Sequence, residues 1–184
     1  MIVGAWGDSI TYGGPEEGWV GLLRKTLPSQ ETEVYNRGIC GDTSDDILKR
    51  FSVEATAINP EVILFAVGTN DSKYPSGSTT NKISLSAFEQ NMQQLISQAK
   101  ARTTRVILIG LTDVNETEIE TGSTFSNTEI KKYNESIKKL AANENLEFID
   151  MGGVIDLQED LEDGLHPNNK GYAKMFEIIF PLFK

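Results

Sequence analysis

The chain has 184 residues, with 27 acidic and 17 basic side chains and a formal net charge of −10 at neutral pH. Folding at this length buries roughly 70% of the surface that the unfolded chain exposes, so we predict one domain over residues 1–184 that needs neither metal nor disulfide for stability. The negative charge argues against nucleic acid or an anionic membrane as a partner, because contacts to phosphates require Lys and Arg.

Cysteine usage and hydropathy indicate the compartment. The only cysteine, Cys40, has no partner for an internal disulfide, which favours a reducing environment. The first six residues lack the basic start of a signal peptide, and no apolar run reaches the length of a membrane-spanning helix. We therefore expect a cytoplasmic protein without a membrane span, and the sequence leaves its oligomeric state open.

Five apolar runs have the composition of buried strands, and five amphipathic patterns alternate with them. The strands are predicted at residues 1–6, 33–36, 62–67, 105–111 and 146–149. Apolar residues recur at three- and four-residue spacing, as in helices, within residues 19–27, 47–55, 85–99, 130–141 and 172–179. This alternation predicts right-handed βαβ units, and therefore a doubly wound α/β/α domain of three layers with a five-stranded parallel sheet.

Two connections, residues 68–84 and 112–126, are longer than ordinary loops of such a fold. Both follow predicted strands, so both lie at the carboxyl edge of the sheet, where open α/β proteins bind ligands. We expect them to form walls of a pocket. The alternative is that they are solvated loops without contact to a ligand.

The segment after the first predicted strand reads Gly-Asp-Ser-Ile-Thr, from Gly7 to Thr11. Glycine and small polar residues at this point would place the Ser9 hydroxyl beside backbone N–H groups at the sheet edge. That arrangement suits a nucleophile next to an anion-stabilising site. Asp8 and Ser9 would equally suit a turn or a helix N-cap.

The loops after the second and third strands are candidates for an oxyanion site. Gly38 and Gly41 would let backbone N–H groups approach a ligand closely. Cys40, between them, is expected to be a small buried residue rather than a nucleophile. Asn70 follows the third strand and could offer its side-chain N–H to a developing oxyanion, although Asn before Asp is also typical of an Asx-turn.

His166 is the only histidine of the chain, so any imidazole base must be this residue. It lies in Asp-Gly-Leu-His-Pro, just before the last predicted helix. Asp163, three residues earlier, could reach Nδ1, hold the tautomer and stabilise the imidazolium that forms when Nε2 takes a proton from a serine. Taken alone, a histidine before a proline is more often a loop residue.

Together these segments resemble the SGNH hydrolases, the GDSL family of esterases and lipases. The family is named for a serine in Gly-Asp-Ser, a glycine, an asparagine in Gly-x-Asn-Asp and a histidine in Asp-x-x-His. The chain supplies them in this order as Ser9, Gly41, Asn70 and His166, with Asp163 before the histidine. Isoleucine stands where the motif name has leucine, a conservative change. The family's glycine commonly precedes an Asp-Thr pair, which favours Gly41 over the nearby alternative.

The resemblance implies a flavodoxin-like fold and a serine esterase. Ser9 would attack the carbonyl of an ester or thioester, with His166 as general base and Asp163 orienting it. The oxyanion would be held by the backbone N–H groups of Ser9 and Gly41 and by the side chain of Asn70. The partner would be a small-molecule ester, and neither a metal nor another cofactor is implied.

The identity of the ester is less constrained. Acidic stretches at residues 113–120 and 156–163 would lie near the site and disfavour anionic substrates such as acyl-CoA, so we expect a neutral, short-acyl ester. A carbohydrate O-acetyl esterase, a lysophospholipase and an acyl thioesterase remain alternatives within the family. Asp8 and Asp71 would brace loops rather than act as acids.

The alternative of another class is a non-catalytic, flavodoxin-like module that binds a ligand. A phosphate-binding module would place Lys, Arg or a Walker-type lysine in the glycine-rich loop of residues 7–14, which contains none of them. A relative that has lost activity and only binds glycans or a protein is a further alternative. The four intact motifs argue against it.

Overall fold

Five parallel strands form one sheet in the structure, a computed structural model that describes residues 1–103 and 105–184. They are β1 (Ile2–Gly7), β2 (Glu33–Gly38), β3 (Val62–Ala66), β4 (Arg105–Ile109) and β5 (Glu147–Ile149). Their order across the sheet is β2-β1-β3-β4-β5, the doubly wound order of flavodoxin-like proteins, with the switch point between β1 and β3. The predicted fold class is confirmed.

Helices cover both faces of this sheet. The five long helices coincide with the five amphipathic patterns of the sequence. The one-turn helices α1 (Ser9–Tyr12) and α4 (Thr69–Ser72) were not predicted, because a single turn is too short to show a periodic stripe. In chain order the helices are α1 (Ser9–Tyr12), α2 (Gly18–Thr26), α3 (Ser44–Ile58), α4 (Thr69–Ser72), α5 (Leu85–Lys100), α6 (Asn127–Glu144) and α7 (Asn169–Ile179).

The sheet separates two apolar clusters. Neighbouring residues of a strand point to opposite faces, so Phe65 packs with Trp6 and Phe51 on the side of α3, α5 and α6, while Leu64 packs with Trp19 on the side of α2 and α7. All five side chains are at most 1% exposed. Burial on both faces explains why the strands read as continuous apolar runs rather than alternating ones.

The register of the central strands aligns the ends of three strands. Gly7 pairs with Gly38 of β2 on one side and with Ala66 of β3 on the other. The segments that follow β1, β2 and β3 therefore leave the sheet side by side at its carboxyl edge. Gly7 has no room for a side chain, because a Cβ there would meet the Thr11 hydroxyl and the Ala66 carbonyl.

Candidate active site

Ser9 is the first residue of α1 and sits at the switch point of the sheet. Asp8 is the N-cap, and its carboxylate accepts the Ile10 N–H at 3.0 Å. The turn ends at Gly13, whose positive φ of 71° suits glycine and whose N–H donates to the Ser9 carbonyl at 2.9 Å. This closed turn fixes the backbone from which the Ser9 hydroxyl projects.

His166 and Asp163 meet Ser9 from the other end of the chain. The Ser9 hydroxyl lies 2.9 Å from His166 Nε2, and His166 Nδ1 lies 2.7 Å from Asp163 Oδ2. The second oxygen, Oδ1, accepts the backbone N–H groups of Leu165 at 3.0 Å and His166 at 2.8 Å. The structure thus brings the three predicted side chains together in one hydrogen-bonded series.

Asp163 is held in its ionised form. Its partial burial disfavours the charge, but the backbone N–H and the ring of His166 and the backbone N–H of Leu165 donate to the carboxylate and outweigh that effect. The pKa of Asp163 therefore lies below its ordinary value. A permanent negative charge at this point favours a positive charge on the neighbouring imidazole during proton transfer.

The turn that carries His166 is supported by residues 112–126, the second of the long connections. Gly164 has a φ of 78°, and its carbonyl accepts the Asn115 N–H at 2.8 Å. A side chain at this glycine would collide with the Asn115 carbonyl. On the far side, Glu162 N–H donates to the His166 carbonyl at 2.8 Å, and Asn168 caps α7. Residues 112–126 therefore support the histidine turn.

Asn70 lies in α4, one turn after β3 ends. Its Nδ2 donates to the Asp42 carbonyl at 3.2 Å, and its Oδ1 accepts from Lys73 Nζ at 3.0 Å. These two contacts turn the amide nitrogen toward the loop that contains Gly41. Asn70 and Gly41, predicted from separate motifs, are thereby brought to the same side of the site.

The two candidate glycines of the second loop have different surroundings. Gly41 has a φ of 83°, its Cβ direction is open, and within the described residues no hydrogen bond engages its N–H. Gly38 instead packs against α1, where a Cβ would collide with the Tyr12 backbone nitrogen. The surroundings favour Gly41 as the residue that presents a free N–H.

Arg50 of α3 holds this loop, a role that the sequence analysis missed. Its Nε donates to Asp42 Oδ2 at 2.8 Å and its Nη2 donates to the Arg37 carbonyl at 2.8 Å, so it joins the end of β2 to the Gly41 loop. The guanidinium also pairs with Glu54 at 2.6 Å. The Arg50–Glu54 spacing within one helix was visible in the sequence, but the contacts to the loop depend on the fold.

Two buried carboxylates lie behind the motifs. Asp8 is 2% exposed, and burial raises its pKa to about 7. The hydrogen bond from the Ile10 N–H opposes this rise, and the negative charge of Asp71 adds to it. Burial also raises the pKa of Asp71 to about 6, although hydrogen bonds from the hydroxyl and the N–H of Ser44 lower it. These contacts to Ile10 and Ser44 hold loop backbone in place.

Replacing Asp8 by Asn is expected to increase the free energy of unfolding at pH 8 by about 2 to 4 kcal/mol. Because the pKa of Asp8 is about 7 in the folded protein and about 4 in an unfolded chain, folding at pH 8 buries a carboxylate that is mostly still ionised, which costs stability. Its contribution to stability is full below about pH 4 and is lost as the pH rises through about 7. Asn stays neutral and still accepts the Ile10 N–H.

Denaturant unfolding of wild type and Asp8→Asn at pH 4 and pH 8 measures this effect, and the two proteins should differ little at pH 4. The exposed Glu120 supplies a control, because Glu120→Gln should shift neither value. An Asp8→Asn protein that is no more stable than wild type at pH 8 would contradict the prediction.

A cleft of about 330 Å³ opens beside Ser9 and His166. Neither of the two long connections lines this cleft; Thr69 and Thr112, one from each connection, instead line a small pocket with Asp8 and Ile10. Cys40 is exposed and lines the cleft, which corrects the expectation that it is buried. In the described part of the chain, no Lys or Arg lies along the cleft. Its other lining residues are Tyr12, Gly13, Gly14, Pro15, Glu16, Glu162, Pro167, Asn168, Asn169 and Tyr172.

Two further properties bear on the function. Over residues 1–103 and 105–184, no group of three or more His, Cys, Asp and Glu side chains is placed to hold a metal ion. None of the helices in these ranges combines the length and the apolar character that crossing a membrane requires.

Solved structures with the same fold include two acetylxylan esterases. The acetyl xylan esterase AlAXEase superposes with a TM-score of 0.81 at 23% identity, covering 100% of both chains. A catalytic mutant of Axe2, an acetylxylan esterase from Geobacillus stearothermophilus, superposes with a TM-score of 0.81 at 18% identity, covering 98% of this chain and 92% of that one. At these identities the likeness shows a shared fold.

Sequence similarity identifies the family. A multidomain esterase from Ruminococcus flavefaciens is 29% identical over 172 residues, which are 92% of this chain and 20% of that protein, so the chain spans about one fifth of the relative's length. Residues 5–174 match the GDSL-like lipase/acylhydrolase family, a family of ester-bond hydrolases. The resemblance drawn from the four motifs is confirmed: the chain belongs to the GDSL-like lipase/acylhydrolase family.

Proposed function

We propose that the chain is a serine esterase that hydrolyses carboxylic esters, with Ser9 as nucleophile, His166 as general base and Asp163 as the residue that orients the base. The observation that carries the proposal is the series of two hydrogen bonds, 2.7 Å and 2.9 Å long, that joins the three side chains beside an open cleft. A hydroxyl nucleophile needs such a base, because serine is not ionised at neutral pH.

In the acylation half-reaction, Ser9 Oγ bonds to the ester carbonyl carbon while its proton moves to His166 Nε2. The carbonyl oxygen becomes an oxyanion, and the Asp163 carboxylate stabilises the imidazolium. When the tetrahedral intermediate collapses, the bond to the alcohol oxygen breaks and Nε2 returns the proton to it. Ser9 is left as an acyl ester.

Deacylation repeats these steps with water. His166 takes a proton from the water, the hydroxide oxygen bonds to the acyl carbon, and a second oxyanion forms. Its collapse expels Ser9 Oγ, which recovers a proton from Nε2, and releases the carboxylic acid. The base and the nucleophile return to their starting states without a metal or cofactor in any step.

We assign the oxyanion site to the backbone N–H groups of Ser9 and Gly41 and to Nδ2 of Asn70. The assignment is supported by the open Cβ direction of Gly41 and by its N–H, which no described residue engages in a hydrogen bond. The Asn70 amide has one N–H on the Asp42 carbonyl, which leaves the other for the oxyanion. Donors fixed in place before the charge develops stabilise it without a reorganisation cost.

The lining of the cleft supports a neutral, short-acyl substrate. Glu16 and Glu162 lie along it, and no cation does within the described residues, so the anionic groups of acyl-CoA or of a lysophospholipid would meet repulsion. A volume of about 330 Å³ fits a small ester group and part of its alcohol. Lysophospholipase and acyl-CoA thioesterase activities are therefore the less favoured alternatives.

Hydrolysis of O-acetylated carbohydrates is the second candidate and uses the same chemistry. Tyr12 and Tyr172 offer aromatic surface in the cleft, and the exposed Asn169 offers an amide group, a combination that suits a hydroxylated ring. The two acetylxylan esterases of the same fold also support this candidate. We further propose that residues 1–184 act as one unit, since all five strands belong to one sheet.

A substrate panel tests the proposal. It contains p-nitrophenyl esters of increasing acyl length, acetylated sugars and acyl-CoA thioesters. We expect turnover of the acetyl and butyryl esters, a decline with longer chains, and acyl-CoA as the poorest class. Inactivity on the whole panel, with no covalent labelling by a fluorophosphonate, would contradict the esterase and favour a binding module. Preferential turnover of the sugars would select the second candidate.

A further inference from the structure

We propose that Lys73 is a positioning residue for catalysis: its ammonium group holds the Asn70 amide with the nitrogen toward the oxyanion. This inference rests on the proposed function and deepens it. It also assigns a role to residues 68–84, which do not line the cleft beside Ser9.

The contact between the two residues determines which way the amide faces. Lys73 Nζ lies 3.0 Å from Asn70 Oδ1. An ammonium group only donates hydrogen bonds, so it pairs with the amide oxygen and not with the amide nitrogen. Rotation of the amide by 180° would place nitrogen against ammonium and would turn the oxygen, a negative dipole end, toward the developing oxyanion. Lys73 therefore disfavours the orientation that would oppose catalysis.

Among the described residues, the contact to Asn70 is the one hydrogen bond that the Lys73 ammonium group makes. The side chain is half-buried, with Nζ 5.4 Å from the centre of the Phe125 ring. No carboxylate within the described residues forms an ion pair with it. Burial, together with the charge of Lys82, lowers the pKa of Lys73, although the charge of Asp8 opposes this. Because no described carboxylate pairs with this half-buried lysine, an ion pair does not explain its position. Its hydrogen bond to Asn70 does.

A second lysine of the same segment contacts Gly41, the residue whose N–H we assign to the oxyanion site. Lys82 Nζ lies 3.3 Å from the Gly41 carbonyl, and the Lys82 N–H donates to the Lys73 carbonyl at 2.8 Å, which closes the segment into a loop. The loop thus contacts Asn70 at one end and the Gly41 loop at the other. The ammonium groups also place positive charge on the side of the site where the oxyanion forms.

A double-mutant cycle tests whether Lys73 acts through Asn70. Asn70→Ala removes the donor and should lower kcat roughly 10²- to 10³-fold with little change in KM. Lys73→Met should lower kcat roughly 10- to 100-fold, since the donor is then held only by its contact to the Asp42 carbonyl. The double variant should match Asn70→Ala within about threefold, because no amide remains to be oriented. Lys73→Arg, which keeps the cation, should restore most of the loss.

The control is Lys139→Met, which removes an exposed lysine from α6 and should leave kcat and KM at wild-type values. Lys73→Gln replaces Lys73→Met if the latter is unfolded by circular dichroism. Wild-type kcat in Lys73→Met, while Asn70→Ala still costs 10²-fold or more, would overturn the inference and leave the proposed function intact. Multiplicative losses in the double variant would also overturn it.

A measurement that does not need activity separates the two proposals. The side-chain amide protons of Asn70 give a pair of nuclear magnetic resonance signals that Asn70→Ala identifies by their loss. We expect these signals to shift or broaden in Lys73→Met and to stay in place in Lys139→Met. Unchanged signals in Lys73→Met would overturn the inference even if the wild-type protein hydrolysed none of the esters tested.

Discussion

Ser9→Ala is expected to lower kcat roughly 10⁴- to 10⁶-fold and to abolish covalent labelling by a fluorophosphonate. The Ser9 hydroxyl lies 2.9 Å from His166 Nε2, which places it to accept the acyl group with the imidazole as base. Its removal costs that one side-chain hydrogen bond and leaves the α1 turn, which is closed by backbone and Asp8 contacts, in place. Activity should therefore fall without loss of the fold.

Hydrolysis of p-nitrophenyl acetate and intact-protein mass spectrometry after labelling measure the two effects. Ser29 lies in an exposed turn after α2, so Ser29→Ala is a matched control that should keep wild-type turnover and labelling. A Ser9→Ala protein that is still labelled at the cleft would place the nucleophile on another residue.

Asp163→Asn is expected to lower kcat by about 10⁴-fold, although the substitution exchanges only one carboxylate oxygen for an NH₂ group. In wild type, Asp163 Oδ1 accepts two backbone N–H groups and Oδ2 accepts from His166 Nδ1. In the variant, the two backbone donors select the amide oxygen, so the NH₂ group faces Nδ1. That nitrogen must then be an acceptor, which puts the imidazole proton on Nε2, where it blocks proton transfer from Ser9.

Steady-state kinetics on the same ester measure this loss, which should appear in kcat with KM nearly unchanged, because Asp163 makes no proposed contact to substrate. Glu159→Gln removes one charge from the same loop at a site that is 70% exposed and should leave kcat unchanged. A loss of less than about tenfold in Asp163→Asn would mean that the turn holds the imidazole without the carboxylate.

The sequence predicted the sheet well because its strands are enclosed. Residues 62–67 and 105–111 are apolar throughout, which is typical of strands buried on both faces. The predicted end of β4 was too late: the strand ends at Ile109. Gly110 N–H donates to the Ile149 carbonyl, and Leu111 N–H donates to Asn134 Oδ1 at 2.6 Å, so both are satisfied outside the strand ladder. Such contacts join distant parts of the chain and leave no local pattern.

The site was predictable to the extent that its residues occur in local motifs. Ser9, His166 and Asp163 follow from a motif after the first strand and from the only histidine, and the structure brings them together. The walls of the cleft were not predictable, because they come from the one-turn helix α1 and from the chain on either side of His166. Lys73 was missed because nothing in its neighbours shows that it points inward to an amide.

The exposure of Cys40 in the cleft has a practical consequence. It is the only cysteine of the chain, it is exposed, and it lies along the same cleft as Ser9. A thiol-reactive fluorophore would therefore label the unmodified protein at a single position beside this cleft and in a defined stoichiometry. Fluorescence from this position can follow ligand entry and product release in the native sequence, and a disulfide-linked fragment screen can start from the same thiol.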